Sequence, residues 1–268
     1  MSARLEDRGL NPPKGFRRCE YLVNGIRTVV HVAGQGRPVV YFHGAGNWTG
    51  LDFARPWIER FKVIAPTHPG WGESGDDPQM DSIHEYVLHY LDLFDQLKLS
   101  PFDLVGFSLG GWLAAEFAVL HPRRVRKLVL VAPAGLPDPE HPGPPLGSWT
   151  LQEMYSYLVN DMETLRPYLP RDAAETAAHT AEIERALASA RRLAPNGPFN
   201  PNLGRWLHRL TMPTLLVWSK ADRLVPVERA QKWMSLLPNA QLALFENAGH
   251  LVLDELEEAR DCIARFLA

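Results

Sequence analysis

The chain has few cysteines, no long apolar run and no excess of one charge. Its 268 residues include only Cys19 and Cys262, too few for a disulfide framework or a thiolate zinc site. No apolar stretch is long enough to cross a bilayer, and residues 1–16 lack the apolar core of a signal peptide. The net charge of -3, without a long basic cluster, is not typical of nucleic-acid or membrane binding. We therefore expect a cytoplasmic protein with neither partner, and the sequence does not indicate an oligomeric state.

The composition and the order of apolar runs predict an α/β fold. Hydrophobic residues make up 46% and charged residues 22% of the chain, as in ordinary globular proteins. Short strand-like runs alternate with helical patterns on both sides of a segment rich in proline and glycine that begins at Pro133. This alternation predicts a mostly parallel sheet with helices on both faces, built from residues 1–133 and 212–268. Residues 134–211 are predicted to form an inserted, partly mobile helical cap.

Local patterns predict individual elements. Asn24-Gly25 between two apolar runs predicts a hairpin turn. A helix is predicted over residues 81–99, with Ser82 and Glu85 as its capping box. Its predicted apolar face consists of Ile83, Val87, Leu91, Phe94 and Leu97. Further strands are expected at residues 38–42, 62–65, 102–107, 127–131, 214–218 and 241–245.

Gly106-Phe107-Ser108-Leu109-Gly110 lies between a predicted strand and a predicted helix. This context turns a common pentapeptide into a candidate nucleophile elbow, a sharp turn that exposes the serine hydroxyl. Glycine removes the Cβ atoms that would collide in such a turn. The first N–H groups of the following helix are free to bind an anion.

An acid and a histidine follow other predicted strands. Asp222 comes shortly after residues 214–218, and His250 comes shortly after residues 241–245. Because ligands of parallel α/β sheets bind outside the carboxyl ends of the strands, Ser108, Asp222 and His250 are expected on one rim. A serine hydroxyl needs a nearby base, and a histidine base needs a carboxylate to orient it.

The sequence resembles the α/β-hydrolase family from about residue 20 to residue 267. The residues that carry the resemblance are His43-Gly44, Pro69-Gly70-Trp71-Gly72-Glu73-Ser74, Gly106 to Gly111, Asp222 to Pro226 and Ala248-Gly249-His250. The order Ser, Asp, His along the chain is that of the family. The resemblance implies that Ser108 is the nucleophile, His250 the base and then the acid, and Asp222 the orienting carboxylate. It also implies an oxyanion hole formed by the backbone N–H groups of Ala45 and Leu109.

Three other acids compete with Asp222 as the partner of His250. Asp103 lies about 16 Å from Ser108, at the opposite end of the same strand. Asp254 is better explained as an acid in the first turn of a helix. In some members of the family the acid follows the strand that corresponds to residues 127–131, where Asp138 is the nearest acid.

The remaining histidines and aromatic residues are expected to have supporting roles. We expect His43 to brace the oxyanion loop, His68 to act within its loop, and His84, His89 and His121 to lie at the surface. Trp112 is expected to pack in the core. Candidate residues for an apolar substrate pocket are Trp48, Trp149, Tyr155 and Tyr157. No spacing of His, Asp or Glu predicts a metal site, and no G-x-G-x-x-G follows a strand, so we expect no metal and no cofactor.

A serine at position 108 favours acyl transfer. The leading expectation is hydrolysis of a small-molecule carboxylic ester through an acyl-serine. The first alternative is a carbon–carbon bond hydrolase of ring-cleavage diketones. Relatives of that kind usually carry Ser-Gly-Pro-Gly in the oxyanion loop and Trp after the catalytic His, where this chain has Ala45-Gly46-Asn47-Trp48 and Leu251. A lactonase, a perhydrolase and a non-catalytic ligand-binding protein also remain open.

Overall fold

An eight-stranded sheet runs through the computed structural model, which describes residues 15–46, 50–144 and 149–268. In chain order the strands are β1 (Arg17–Val23), β2 (Ile26–Ala33), β3 (Pro38–Phe42), β4 (Lys62–Pro66), β5 (Phe102–Phe107), β6 (Val125–Val131), β7 (Thr214–Ser219) and β8 (Ala240–Phe245). Their order across the sheet is β1-β2-β4-β3-β5-β6-β7-β8. The two pairs that involve β2 are antiparallel, and the other pairs are parallel. The predicted mostly parallel sheet is confirmed.

Helices cover both faces of this sheet. They are α1 (Arg55–Ile58), α2 (Ile83–Gln96), α3 (Leu109–Leu120), α4 (Leu151–Leu158), α5 (Ala173–Leu193), α6 (Arg229–Leu236), α7 (Val252–Glu255) and α8 (Glu257–Leu267). Successive strand residues point to opposite faces, so Val40 and Phe42 pack with α2, α3 and α6. Val39 and Tyr41 pack on the other face with α1 and α8. The predicted α/β-hydrolase architecture therefore has an apolar core on each side of the sheet.

The buried side of α2 differs from the predicted one. The buried residues of this helix are Tyr86, Val87, His89, Tyr90, Leu93 and Phe94. The prediction of a surface position for His89 is wrong. The helix turns this side chain toward the sheet, where Nε2 of His89 lies 3.0 Å from Oγ1 of Thr28 in β2. The predicted capping box is also wrong: Ser82 makes no side-chain cap, and Glu85 instead accepts the N–H of Asp81 at 2.8 Å.

The chain between β6 and β7 carries α4, α5 and several short 3-10 turns, and its described residues form no strand. Helix α5 lies against the loop after β4, where Ser189 donates to the carbonyl of Gly70 at 3.2 Å and Arg192 pairs with Asp76. The division into a core and a mobile cap at residues 134–211 stays a prediction. Within the described ranges, no helix has the length and apolarity needed to span a membrane.

Candidate active site

Ser108 occupies a sharp turn between β5 and α3. Its φ of 54° and ψ of -116° are unusual for a residue with a side chain. A Cβ on Gly106 would lie 2.3 Å from the carbonyl oxygen of Gly110, and a Cβ on Gly110 would lie 2.2 Å from that of Phe42. Only glycine allows these approaches, so the motif packs α3 tightly against the ends of β3 and β5.

Backbone hydrogen bonds from both the N–H and the carbonyl of Ser108 hold this strained turn in place. The N–H of Ser108 donates to the carbonyl of Val131 at 2.9 Å. The carbonyl of Ser108 accepts from the N–H groups of Gly111, Trp112 and Ala134 at 3.0, 3.1 and 3.0 Å. The serine is half-buried. A turn fixed in this way presents its hydroxyl without further rearrangement.

His250 and Asp222 form a buried pair at the ends of β8 and β7. The Nδ1 of His250 lies 2.8 Å from Oδ2 of Asp222, and the two residues are 2% and 6% exposed. The other carboxylate oxygen, Oδ1, accepts the N–H groups of Leu224 and Val225, each at 2.9 Å. Because the carboxylate is held by the turn that follows β7, it fixes the orientation of the ring and places the proton of His250 on Nδ1.

The opposite ring nitrogen of His250 is free. Its Nε2 is buried and accepts no hydrogen bond from any described residue, Ser108 included. A neutral imidazole with the proton on Nδ1 has its lone pair on Nε2, the form that a general base requires.

Two of the competing acids have other partners, and the third lies at a helix start. Asp103, at the start of β5, pairs through Oδ2 with Arg37 at 3.1 Å and Arg126 at 2.6 Å. Asp138 lies 3.1 Å from His141 Nδ1, and Asp254 lies in the first turn of α7. The contact with His250 therefore belongs to Asp222, as the sequence predicts, while the catalytic roles stay predictions.

The two predicted oxyanion donors belong to adjacent segments. Gly44 lies so close to the elbow that a Cβ on it would be 3.3 Å from Cβ of Ser108. Ala45 follows Gly44, and Leu109 follows Ser108 at the start of α3. Neither the N–H of Ala45 nor that of Leu109 donates a hydrogen bond to a described residue. Two N–H groups without an acceptor in the described part of the chain, on segments that meet at a serine, can stabilise a negatively charged oxygen.

The predicted pocket residues have different surroundings. Trp48 lies outside the described residues. Trp149 and Tyr157 stack on each other with ring centroids 4.5 Å apart, and both are half-buried. Tyr155 is buried, with its hydroxyl 2.8 Å from His179 Nε2. Trp112 packs in the core, as predicted. That Trp48, Trp149, Tyr155 and Tyr157 line a substrate pocket stays a prediction.

Glu255 in α7 makes a contact that the sequence did not indicate. Its Oε2 accepts the N–H of Gly249 at 2.5 Å, and its Oε1 accepts those of Asn160 and Asp161 at 2.8 and 2.7 Å. The carboxylate therefore ties the loop before His250 to the segment after α4. In the sequence, Glu255 resembles any acid in the first turn of a helix. Its position five residues after His250 is the one signal that could have indicated this contact.

Comparison with known proteins identifies the family. Residues 39–264 match the model of the alpha/beta hydrolase family. A 2-hydroxy-6-oxo-2,4-heptadienoate hydrolase from Pseudomonas putida is 30% identical over 90% of this chain and 92% of its own length.

Two solved structures share the fold. One is a meta-cleavage product hydrolase from Pseudomonas fluorescens IP01, with a TM-score of 0.76 and 20% identity over 92% of this chain and 96% of that chain. The other is an esterase from Exiguobacterium antarcticum, with a TM-score of 0.73 and 21% identity over 94% of this chain and 98% of that chain. The chain belongs to the α/β-hydrolase family, and it is a hydrolase that acts on a small-molecule substrate.

Proposed function

We propose that this hydrolase uses Ser108 as its nucleophile, with His250 as the base and Asp222 as the orienting carboxylate. The observation that carries this proposal is the buried pair of His250 and Asp222, whose 2.8 Å contact leaves Nε2 free to take a proton. The N–H groups of Ala45 and Leu109, which donate to no described residue, then stabilise the oxyanion that forms on the substrate.

For the substrate, we infer a diketone of the type produced by ring cleavage, which is cut at a carbon–carbon bond. Support comes from the relative in Pseudomonas putida, whose name specifies a 2-hydroxy-6-oxo-2,4-heptadienoate, and from a 2-hydroxymuconate semialdehyde hydrolase that is 28% identical over 93% of this chain. This substrate replaces the carboxylic ester that the sequence alone favours.

The chemistry balances with one water molecule. Ser108 Oγ attacks the ketone carbonyl while its proton passes to Nε2 of His250, and the carbonyl oxygen becomes the oxyanion. The substrate reacts as its diketo tautomer, in which the proton of the 2-hydroxyl group has moved to C5, the carbon next to the attacked ketone. Collapse of the tetrahedral intermediate breaks the bond to C5, which leaves with the electron pair as a dienolate conjugated to the 2-keto group and takes the proton from His250. Water activated by His250 then hydrolyses the acyl-serine and releases a carboxylic acid.

Ester hydrolysis is the second candidate, and a difference between this sequence and those of the carbon–carbon hydrolases favours it. Ala45-Gly46-Asn47-Trp48 replaces the usual Ser-Gly-Pro-Gly loop of the carbon–carbon hydrolases, and Leu251 follows His250 in place of Trp. An ester needs the same acyl-serine, but its leaving group is an alkoxide, which is easier to expel than a carbanion.

Side-by-side kinetics separate the two substrates. We would measure kcat/KM for 2-hydroxy-6-oxohepta-2,4-dienoate and for p-nitrophenyl butyrate with the unmodified protein. The proposal predicts a kcat/KM for the diketone at least about tenfold higher, a difference of about 1.4 kcal/mol in transition-state stabilisation. A higher value for the ester would overturn the carbon–carbon assignment and leave the serine mechanism standing.

Active-site labelling tests the serine mechanism itself. A fluorophosphonate should add one adduct to the unmodified protein and to Ser235→Ala, which alters an exposed serine of α6. It should add none to Ser108→Ala. An unlabelled protein that is folded would contradict the proposed mechanism, and the non-catalytic binding protein would then be the better explanation.

A further inference from the structure

Three consecutive carbonyl groups at the end of β3 each accept a hydrogen bond from an aromatic ring. The carbonyl of His43 accepts from Nε2 of His68 at 2.9 Å. The carbonyl of Gly44 accepts from Nδ1 of His43 at 2.7 Å, and that of Ala45 accepts from Nε1 of Trp71 at 2.8 Å. The backbone that carries the candidate oxyanion donor is thus held by three ring donors, from His43, His68 and Trp71.

The protons of the two histidine rings are assigned by their partners. The backbone N–H of His68 donates to Nε2 of His43 at 2.9 Å, so the proton of His43 sits on Nδ1. Nε2 of His68 faces the carbonyl of His43, which can only accept, so the proton of His68 sits on Nε2 and Nδ1 accepts from the hydroxyl of Tyr90. Each ring therefore donates in one direction only, toward the carbonyls of residues 43 and 44.

Both histidines remain neutral because they are deeply buried. His43 is 4% exposed, His68 is 1% exposed, and their ring centroids lie 3.8 Å apart. Burial lowers the pKa of His43 to about 4 and holds the pKa of His68 well below its usual range. Two charged rings at this distance would repel each other, whereas two neutral rings keep the hydrogen-bond pattern intact.

Peptide geometry connects this pattern to the oxyanion hole. In a trans peptide the C=O of one residue and the N–H of the next point in opposite directions. The bond from His43 Nδ1 to the Gly44 carbonyl therefore fixes the direction of the Ala45 N–H. The bond from Trp71 fixes the following peptide, so that both sides of Ala45 are held while Gly44 packs against Ser108.

We propose that His43, His68 and Trp71 are positioning residues that aim the N–H of Ala45 at the oxyanion. This inference rests on the proposed serine mechanism and deepens it. None of the three side chains needs to touch the substrate. Their effect on rate comes from holding a donor that is useful only in the transition state.

Substitution of His43 separates positioning from packing. His43→Leu removes the donor to Gly44, and His43→Asn restores a donor near the place of Nδ1. We expect His43→Leu to lower kcat at least about tenfold with KM little changed, since a lost oxyanion contact acts on the transition state. Affinity for a trifluoromethyl ketone, which forms an oxyanion with the serine, should fall by a similar factor. His43→Asn should recover most of the loss.

A matched histidine provides the control. His31 of β2 is also buried, at 6% exposure, and burial likewise lowers its pKa to about 4, but it makes no contact with residues 43–45 among the described hydrogen bonds. We expect His31→Leu to leave kcat unchanged, because the buried Nε2 of His31 has no hydrogen-bond partner among the described residues and holds none of the three carbonyls. If His43→Leu does not fold, Trp71→Phe removes only the donor to the Ala45 carbonyl and should still lower kcat by about fivefold.

Labelling and kinetics together separate a failure of the positioning role from a failure of the serine mechanism. If the unmodified protein is labelled by fluorophosphonate, but both His43→Leu and Trp71→Phe keep its kcat and its affinity for the trifluoromethyl ketone, the positioning role is wrong. If the unmodified protein is not labelled, the serine mechanism fails and this inference fails with it.

Discussion

Glu255 accepts the N–H of Gly249 at 2.5 Å, directly before His250 in the chain. The same carboxylate accepts two N–H groups from the segment after α4. Glu255 therefore couples the position of the histidine loop to the chain between β6 and β7, beside the hydrogen bond from the N–H of Leu251 to the carbonyl of Leu158 at 2.8 Å.

Replacement of Glu255 should damage both stability and turnover. Glu255→Ala leaves three backbone N–H groups without their acceptor, and each lost acceptor costs about 1–3 kcal/mol when water does not replace it. We expect a lower thermal midpoint and a reduced kcat, measured by calorimetry and steady-state kinetics. Glu258→Ala, on the exposed side of α8, is the control and should change neither. Full activity in Glu255→Ala would show that the loop keeps its position without this carboxylate.

Asp222→Asn should abolish most activity while the fold survives. Because Oδ1 accepts the N–H groups of Leu224 and Val225, the amide NH2 of an asparagine would face His250 Nδ1. That nitrogen would then have to accept, which moves the ring proton to Nε2 and blocks proton uptake from Ser108. We expect kcat to fall by about 10⁴-fold, the size of this effect in a serine protease. The competitor variant Asp254→Asn should retain activity, and the reverse result would reassign the acid.

The protein should lose stability as the pH falls from about 6.5 toward 4. Burial lowers the pKa values of His31, His43 and His89 to about 4 from an ordinary value of 6.5. The unfolded chain therefore binds more protons than the native state between these values. The free energy of unfolding has its full value above pH 6.5 and decreases as the pH approaches 4. For each histidine the decrease is at most about 1.4 kcal/mol per unit by which its pKa is lowered.

Urea unfolding at several pH values measures this loss. His31→Gln removes one of these titrating groups, so its stability should depend less steeply on pH than that of the unmodified protein. If the free energy of unfolding changes with pH by the same amount in both proteins, His31 does not contribute to the loss of stability.

Gly110→Ala should disrupt the elbow. The added Cβ would lie 2.2 Å from the carbonyl oxygen of Phe42 and 2.4 Å from that of His43, so α3 or β3 would have to move. Overpacking of this kind costs about 1–3 kcal/mol and would also displace Ser108 from the oxyanion donors. Gly204→Ala is the matched control, because its Cβ would meet Leu236 Cδ1 at an ordinary 3.4 Å. Equal thermal midpoints for the two variants would contradict this account.

Strand positions and the site motifs could be predicted because their signals are local. The strand predicted at residues 38–42 is β3 without change, and the apolar run before Ser108 is β5. Three motifs that follow strand ends predicted that Ser108, Asp222 and His250 share a rim, because parallel strands bring their carboxyl ends to one edge. The contact between Asp222 and His250 agrees with that prediction.

Contacts between distant segments could not be predicted. The burial of His89 depends on which side of α2 meets β2, and a periodic pattern with apolar residues on several sides does not specify this rotation. The capping box at the start of α4, between Thr150 and Glu153, was also missed, whereas the predicted one at Ser82 does not form. Whether a capping box forms at each helix start depends on the side-chain conformations that tertiary packing allows.

Local sequence patterns were enough to predict the family, the order of the elements and the residue types at the ends of the strands. The contact of Glu255 with Gly249, and the convergence of the rings of His43, His68 and Trp71 on three neighbouring carbonyls, became visible only in the folded structure. The difference lies in the range of each interaction. Apolar periodicity and turn chemistry act over a few residues and are written in the local sequence. Hydrogen bonds such as these join segments that are brought together only when the sheet and its helices pack.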